Sequence, residues 1–415
     1  MRSGRLNRRT FMAASAAAAG GVATSGALGG SGAYAAGALP GGECDYSKPY
    51  AQWSKGPNPT GRSDYFPLCV WLQSPQNAPR YKEIGINCFV GLYEGPTEDQ
   101  LATLGTYGMR TICAQNAIGL KHVNDPIIMG WLQPDEPDNA QPLPSGGYGP
   151  PTPAADIIQA YQSMVGADPS RPVYLGMGQG VADDTWVGRG VALPWDDYYD
   201  YVRGGDINAF DIYPIASGDG PDWLWYPSKG VDRLHMWGDR YGKVVWNVIE
   251  TTNVSSSDYP TPDQVRSEVW MSIIHGSRGI TYFCHKFAPT FDETGLLDEP
   301  EMKAAVAALN AQIAGLASVL NSPPQTCEVD VQTSDSISQV DVTVREQNGA
   351  TYLFAACMRN AGTTATFTLP NSLAPRGASG TVLDENRSVG ISGGSFKDDF
   401  DPYAIHLYKI TRGGG

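Results

Sequence analysis

Residues 127–138 read Ile127-Ile128-Met129-Gly130-Trp131-Leu132-Gln133-Pro134-Asp135-Glu136-Pro137-Asp138. An apolar run of strand length stops at a proline and opens at once into a set of carboxylates. Short continuous apolar runs bounded by turn residues mark strands buried on both faces, as in a parallel sheet. The pattern recurs on either side, at 66–72, 86–92, 110–116, 173–178, 209–215, 244–250 and 279–285. Between these runs lie helical stretches such as 97–107, 153–165 and 261–275, each opened by Thr or Pro at a cap or first-turn position. Eight such units predict a closed (β/α)₈ barrel over 65–322 rather than an open doubly wound sheet.

Working outward, residues 36–64 form an N-terminal extension. At the other end Met302, Val306, Leu309, Ile313, Leu316 and Leu320 recur at spacings of three and four, which predicts a last helix with one face on the barrel. Pro323-Pro324 stops it, and the period changes to two, with a hairpin signal at Asn348-Gly349. A small antiparallel β-sandwich is expected over 325–412. After the N-terminal segment no run approaches the length of a membrane span, so no membrane contact is expected once that segment is removed.

Residues 1–35 have the layout of a signal peptide: Arg8-Arg9 with Phe11, an Ala/Gly-rich weakly apolar middle, and Ala33-Tyr34-Ala35 as a small-x-small cleavage site. The adjacent arginines resemble a twin-arginine signal, so a secreted or extracytoplasmic protein is expected. The 415-residue chain carries 43 acidic against 29 basic residues, a formal charge of −14. Four of the basic residues lie in this leader, which has no Asp or Glu, so the remainder is more acidic still. That argues against nucleic acid or an anionic membrane as partner.

The seven cysteines lack C-x-x-C spacing, and the five histidines lack H-E-x-x-H or H-x-H spacing, so neither a zinc site nor any other metal is expected. Whether Cys327 and Cys357 pair is left open. There is no G-x-S-x-G elbow and no phosphate-binding loop, and Gly176-Met177-Gly178-Gln179-Gly180 misses the dinucleotide spacing. No cofactor is expected.

In such barrels chemistry sits at the C-terminal ends of strands. Two glutamates stand there: Glu136 after the fourth run, and Glu250 closing Val244-Val245-Trp246-Asn247-Val248-Ile249-Glu250. A carboxyl pair is what glycosidic cleavage needs, one group to protonate the leaving oxygen and one to attack the anomeric carbon. Aromatic residues in the loops, among them Trp186, Trp195, Trp223 and Trp225, offer flat faces for sugar rings. Asp211, Tyr213, Asn247, Glu94, Gln115, Asn116 and His285 also lie at strand ends and are candidate sugar ligands.

On these residues the chain resembles the clan A retaining glycoside hydrolases, over both barrel and tail. The resemblance implies Glu136 as acid/base and Glu250 as nucleophile, with Tyr213 in Asp211-Ile212-Tyr213-Pro214 hydrogen-bonding the nucleophile. Asp135 stands where many members have an asparagine that binds the sugar 2-hydroxyl. Tyr282-Phe283-Cys284-His285 stands where a tryptophan is common. The expected function is an exported retaining hydrolase that cuts an equatorial β bond in an oligo- or polysaccharide. The alternative is a catalytically inactive carbohydrate-binding protein on the same barrel. The sequence does not specify an oligomeric state.

Overall fold

The computed structural model of the chain describes residues 49–188, 195–254, 258–325 and 329–411. The leader, its cleavage site and Cys327 lie outside these residues. Parallel strands β1 (Leu68–Trp71), β2 (Cys88–Val90), β3 (Arg110–Cys113), β4 (Ile128–Leu132), β5 (Val173–Met177), β6 (Ile207–Phe210), β7 (Val244–Val245), β8 (Asn247–Glu250) and β9 (Ile280–Phe283) form one sheet. The seventh run is a single strand interrupted at Trp246: β7 pairs with β6, β8 pairs with β9, and β9 returns to β1. The sheet therefore closes into the expected (β/α)₈ barrel.

Strand alternation sorts the side chains into two layers. Cys69, Trp71, Cys88, Val90, Ile112, Met129, Tyr174 and Val248 fill the barrel, whereas Leu68, Val70, Phe89 and Trp131 face the helices. The N-terminal extension closes the floor. Tyr50 and Trp53 join the interior cluster, and the Tyr50 hydroxyl accepts from Trp246 Nε1 at 2.7 Å while donating to the Arg278 carbonyl at 2.9 Å. Trp246 also explains a glycine: a Cβ at Gly279 would lie 2.6 Å from the indole ring.

The expected helices are Glu98–Thr106, Ala154–Ala167 and Pro262–Ile274, and both threonine caps form full capping boxes, Thr97 with Gln100 and Thr261 with Gln264. The last helix, Pro300–Leu320, buries Met302, Val306, Leu309, Ile313 and Leu320. One expectation is corrected, because by length and composition this helix would suffice to cross a membrane. Its buried face belongs to the large outer core cluster, and it packs on Pro262–Ile274, as a core helix does.

Beyond the helix, the tail has two antiparallel sheets. One contains β10 (Asp330–Thr333), β13 (Thr363–Thr368) and β16 (Ser395–Phe400). The other has the order β11-β12-β17-β14-β15, formed by Val340–Gln347, Ala350–Cys357, Ile405–Thr411, Ser379–Val382 and Arg387–Gly390. Phe367 and Phe396 from the first share a core with Leu353, Tyr408 and Ile410 from the second, giving the expected sandwich. The Asn348-Gly349 turn joins β11 to β12 with φ of 52° and 75°, the left-handed pair a two-residue hairpin requires. Phe354, Ile405 and Leu407 belong instead to the barrel's outer core, so strands β12 and β17 of the larger sheet are covered on both faces.

Candidate active site

The barrel mouth holds a small cleft lined by Trp71, Asp135, Glu136, Tyr174, Asp211, Tyr213, Val248 and Phe283, with Gly176, Met177 and Phe210 behind them. Strand ends supply nearly all of it. Glu136 follows β4 in a left-handed conformation, φ 44°, which costs a non-glycine residue roughly 1–2 kcal/mol. The turn is held there by the Glu136 N–H donating to the Gly176 carbonyl at 3.0 Å. The Glu136 carbonyl in turn accepts from Asn139 N at 3.1 Å and from Gln141 Nε2 at 3.0 Å. Strained backbone of this kind gathers at working sites because it aims a side chain that relaxed geometry would turn away.

Asp211 follows β6, its N–H bonded to the Met177 carbonyl at 3.1 Å. Burial pushes its carboxyl well above the usual range, and the neighbouring Glu136 charge pushes it further; a hydrogen bond from Tyr213 opposes both. Asp211 is thus a proton holder beside another carboxylate. Next to it, burial raises Asp138 to about 6, although the Gly178 N–H and the Tyr198 hydroxyl, each at 2.9 Å, favour its charged form.

Glu250 is not in this cleft. Val248, two residues earlier, lines it, and alternation alone would aim Glu250 the same way. Instead the Glu250 carboxylate is fully buried and accepts the N–H groups of Ile215 at 2.9 Å and Ala216 at 2.6 Å. Its neighbour is the fully buried Glu268 on helix Pro262–Ile274. Burial raises Glu250 to about 7 and raises Glu268 as well, with the Glu250 charge adding to it, so the pair favours holding a proton. Tyr213 correspondingly bonds Asp211 rather than a strand-seven nucleophile, and packs on Phe283 at 4.9 Å.

The remaining candidates divide clearly. Asp135 and Asp211 line the cleft with Glu136 and Tyr213. Asn116 is a helix cap, its Oδ1 accepting from Ile118 N and Gly119 N, and its amide is tied to the Pro96 carbonyl. Gln115 donates to the Met164 carbonyl. Asn247 points out of the barrel, bonded to Ser272 Oγ at 2.9 Å and to the Pro227 carbonyl. Glu94 sits on an exposed turn, φ 50°.

His285 is buried among Phe283, Phe287 and Phe291 with its Nε2 against Gln73, and burial pushes it down to about 3, so the ring is neutral. Trp225 lies under Arg359 of the tail, in the seam between barrel and tail, whereas Trp223 stacks on Tyr226 of the barrel at 4.2 Å.

Trp71, Tyr174 and Phe283 were missed. Their signal was alternation: each sits two residues from, or at the end of, an inward-facing strand position.

No family model matches the sequence, and no curated protein matches it. Solved structures do. A putative alpha-galactosidase from Bacteroides fragilis shares 12 % identity, with 85 % of this chain and 80 % of that one covered and a TM-score of 0.49. A family 39 glycoside hydrolase from Bacteroides cellulosilyticus shares 15 %, covering 85 % and 82 %, with a TM-score of 0.46. A maltogenic alpha-amylase from Thermotoga neapolitana shares 10 %, covering 84 % and 99 %, with a TM-score of 0.45. The likeness is one of fold.

Proposed function

We propose that this chain is an exported glycoside hydrolase whose carboxyl pair is Glu136 and Asp211. The observation that carries the reading is the cleft itself: these two groups meet there beside Asp135, among Trp71, Tyr174, Tyr213 and Phe283. Asp211, kept protonated by burial and by the charge of Glu136, donates to the leaving oxygen. Glu136 attacks the anomeric carbon, and the deprotonated Asp211 then activates water to release the sugar with its configuration retained. The aromatic residues give the ring an apolar face, and Tyr213 orients Asp211. This pairing replaces the implied Glu136–Glu250 pair, in which Glu136 was the acid.

The test is hydrolysis of a panel of aryl α- and β-glycosides and polysaccharides by residues 36–415, with the first anomer read by NMR. Retention at a β bond supports the reading, and initial inversion would overturn the double displacement. A second reading has one observation in its favour. Glu250, at the strand-seven position the resemblance assigns to the nucleophile, is sealed away from the cleft. A carbohydrate-binding protein without turnover would show saturable sugar binding that Glu136→Gln leaves intact, and no hydrolysis by the parent chain.

A further inference from the structure

Beside the cleft lies a larger cavity, about 490 Å³, lined by Asp138, Asn139, Asp183, Trp186, Trp195 and Arg233, with Tyr198 at its wall. Its volume falls within the roughly 300–1,000 Å³ typical of small-molecule sites. The two cavities share one stretch of chain. Asp135 and Glu136 face the cleft, while Asp138 and Asn139 face the cavity. Two residues of chain span at most about 7 Å, so the carboxyls of the cleft and of the cavity are close neighbours.

The polar groups of this cavity have a definite character. Arg233 pairs with Asp184 at 2.7 Å and donates to the Val181 and Ala182 carbonyls. Asp184, on the same wall, offsets that charge, and the Asp138 and Asp183 carboxyls beside it disfavour an anionic ligand. Asn139 is buried, with its Oδ1 accepting from Trp186 Nε1 at 2.8 Å. Its Nδ2 is buried against Gly178, so the amide fixes the cavity wall rather than facing the space. Two indoles and the Asp138 and Asp183 carboxyls, which accept hydrogen bonds, form a surface for a ring bearing hydroxyl groups.

We propose that this cavity is a subsite for an uncharged pyranose ring, the neighbour of the ring held over Glu136 and Asp211. The inference rests on the carbohydrate reading above and deepens it.

The test is calorimetric titration of residues 36–415 carrying Asp211→Asn with cellotriose, maltotriose and laminaritriose, with trigalacturonate as the anionic control. A neutral trisaccharide binds and trigalacturonate binds at least about tenfold more weakly. Trp186→Ala and Asp183→Asn each weaken the neutral trisaccharide about tenfold more than they weaken the corresponding aryl monosaccharide. Asp183→Asn keeps the side-chain shape should loss of Trp186 disturb the loop. Equal weakening of both ligands, no weakening, or preference for trigalacturonate overturns the subsite while leaving the hydrolase reading standing. Binding of no sugar at all, with no hydrolysis by the parent chain, overturns both.

Discussion

Asp211 has to keep a proton near neutral pH beside another carboxylate, and its surroundings favour this. Burial and the Glu136 charge both disfavour ionisation. Activity that needs the protonated form is therefore present at low pH and lost as pH rises through the elevated Asp211 value. Tyr213→Phe removes the side-chain hydrogen bond that favours the charged form, so the alkaline limb of the kcat/KM profile shifts upward; a shift downward would contradict the role of Tyr213.

Packing makes a second prediction at this scale. A Cβ at Gly230 would fall inside the Phe210 ring, so Gly230→Ala costs roughly 1–3 kcal/mol, read from denaturant midpoints. The residue scale is also where the sequence was least legible. Strand ends pointed to Glu136 and Asp211, which line the cleft, but Asn116 and Asn247 at other strand ends and Trp225 in a loop were candidates on the same footing. Only their partners, a helix end, Ser272 and Arg359, show them to be structural.

At the scale of elements, the Glu250–Glu268 pair joins the end of β8 to helix Pro262–Ile274 and to the Ile215–Ala216 turn that follows Asp211 and Tyr213. Both carboxyls are raised in the fold, Glu250 to about 7. Their contribution to stability is therefore complete below the ordinary carboxylate range and is lost as pH rises through about 7. Glu268→Gln needs no second titrating proton, so its melting temperature falls less between acidic and neutral pH than that of the parent. An identical pH slope in both proteins would refute the proton held by the pair.

The elements themselves were largely readable. Apolar runs located the barrel strands, because strands buried on both faces are mostly apolar even with Thr111, Asn208, Asn247 and Thr281 among them, and Thr or Pro at the first turn marked helix starts. The break at Trp246 was not readable, since Val245 and Asn247 flank it in one continuous run. It follows from tertiary contact, the indole lying against Gly279 and bonded to Tyr50.

For the whole molecule, the tail is fastened to the barrel rather than tethered. Trp270 packs on Phe354 at 5.4 Å, and Ser267 Oγ donates to the Tyr403 carbonyl at 2.8 Å. Between the bodies His275 is placed against Asp232 of the barrel at 2.9 Å and Asp341 of the tail at 3.2 Å. Burial opposes its charge, but the two carboxylates outweigh burial and raise it to about 10. A raised histidine stabilises fully below its ordinary pKa and ceases to as pH rises through about 10. His275→Asn accordingly lowers the melting temperature at pH 6 and has little effect at pH 11; an equal loss at both would assign His275 to packing alone.

The central claim is that the working pair is Glu136 and Asp211, with Glu250 holding the structure from outside the cleft. The most direct measurement is the turnover of Asp211→Asn and Glu250→Gln, both folded by circular dichroism, on the best substrate of the aryl glycoside panel. Asp211→Asn should lose about 10²–10⁴-fold in kcat, the scale of a lost general acid, while Glu250→Gln stays within about tenfold of the parent. Abolished turnover in Glu250→Gln alongside an active Asp211→Asn would restore the strand-seven glutamate as nucleophile and contradict the Glu136–Asp211 pair.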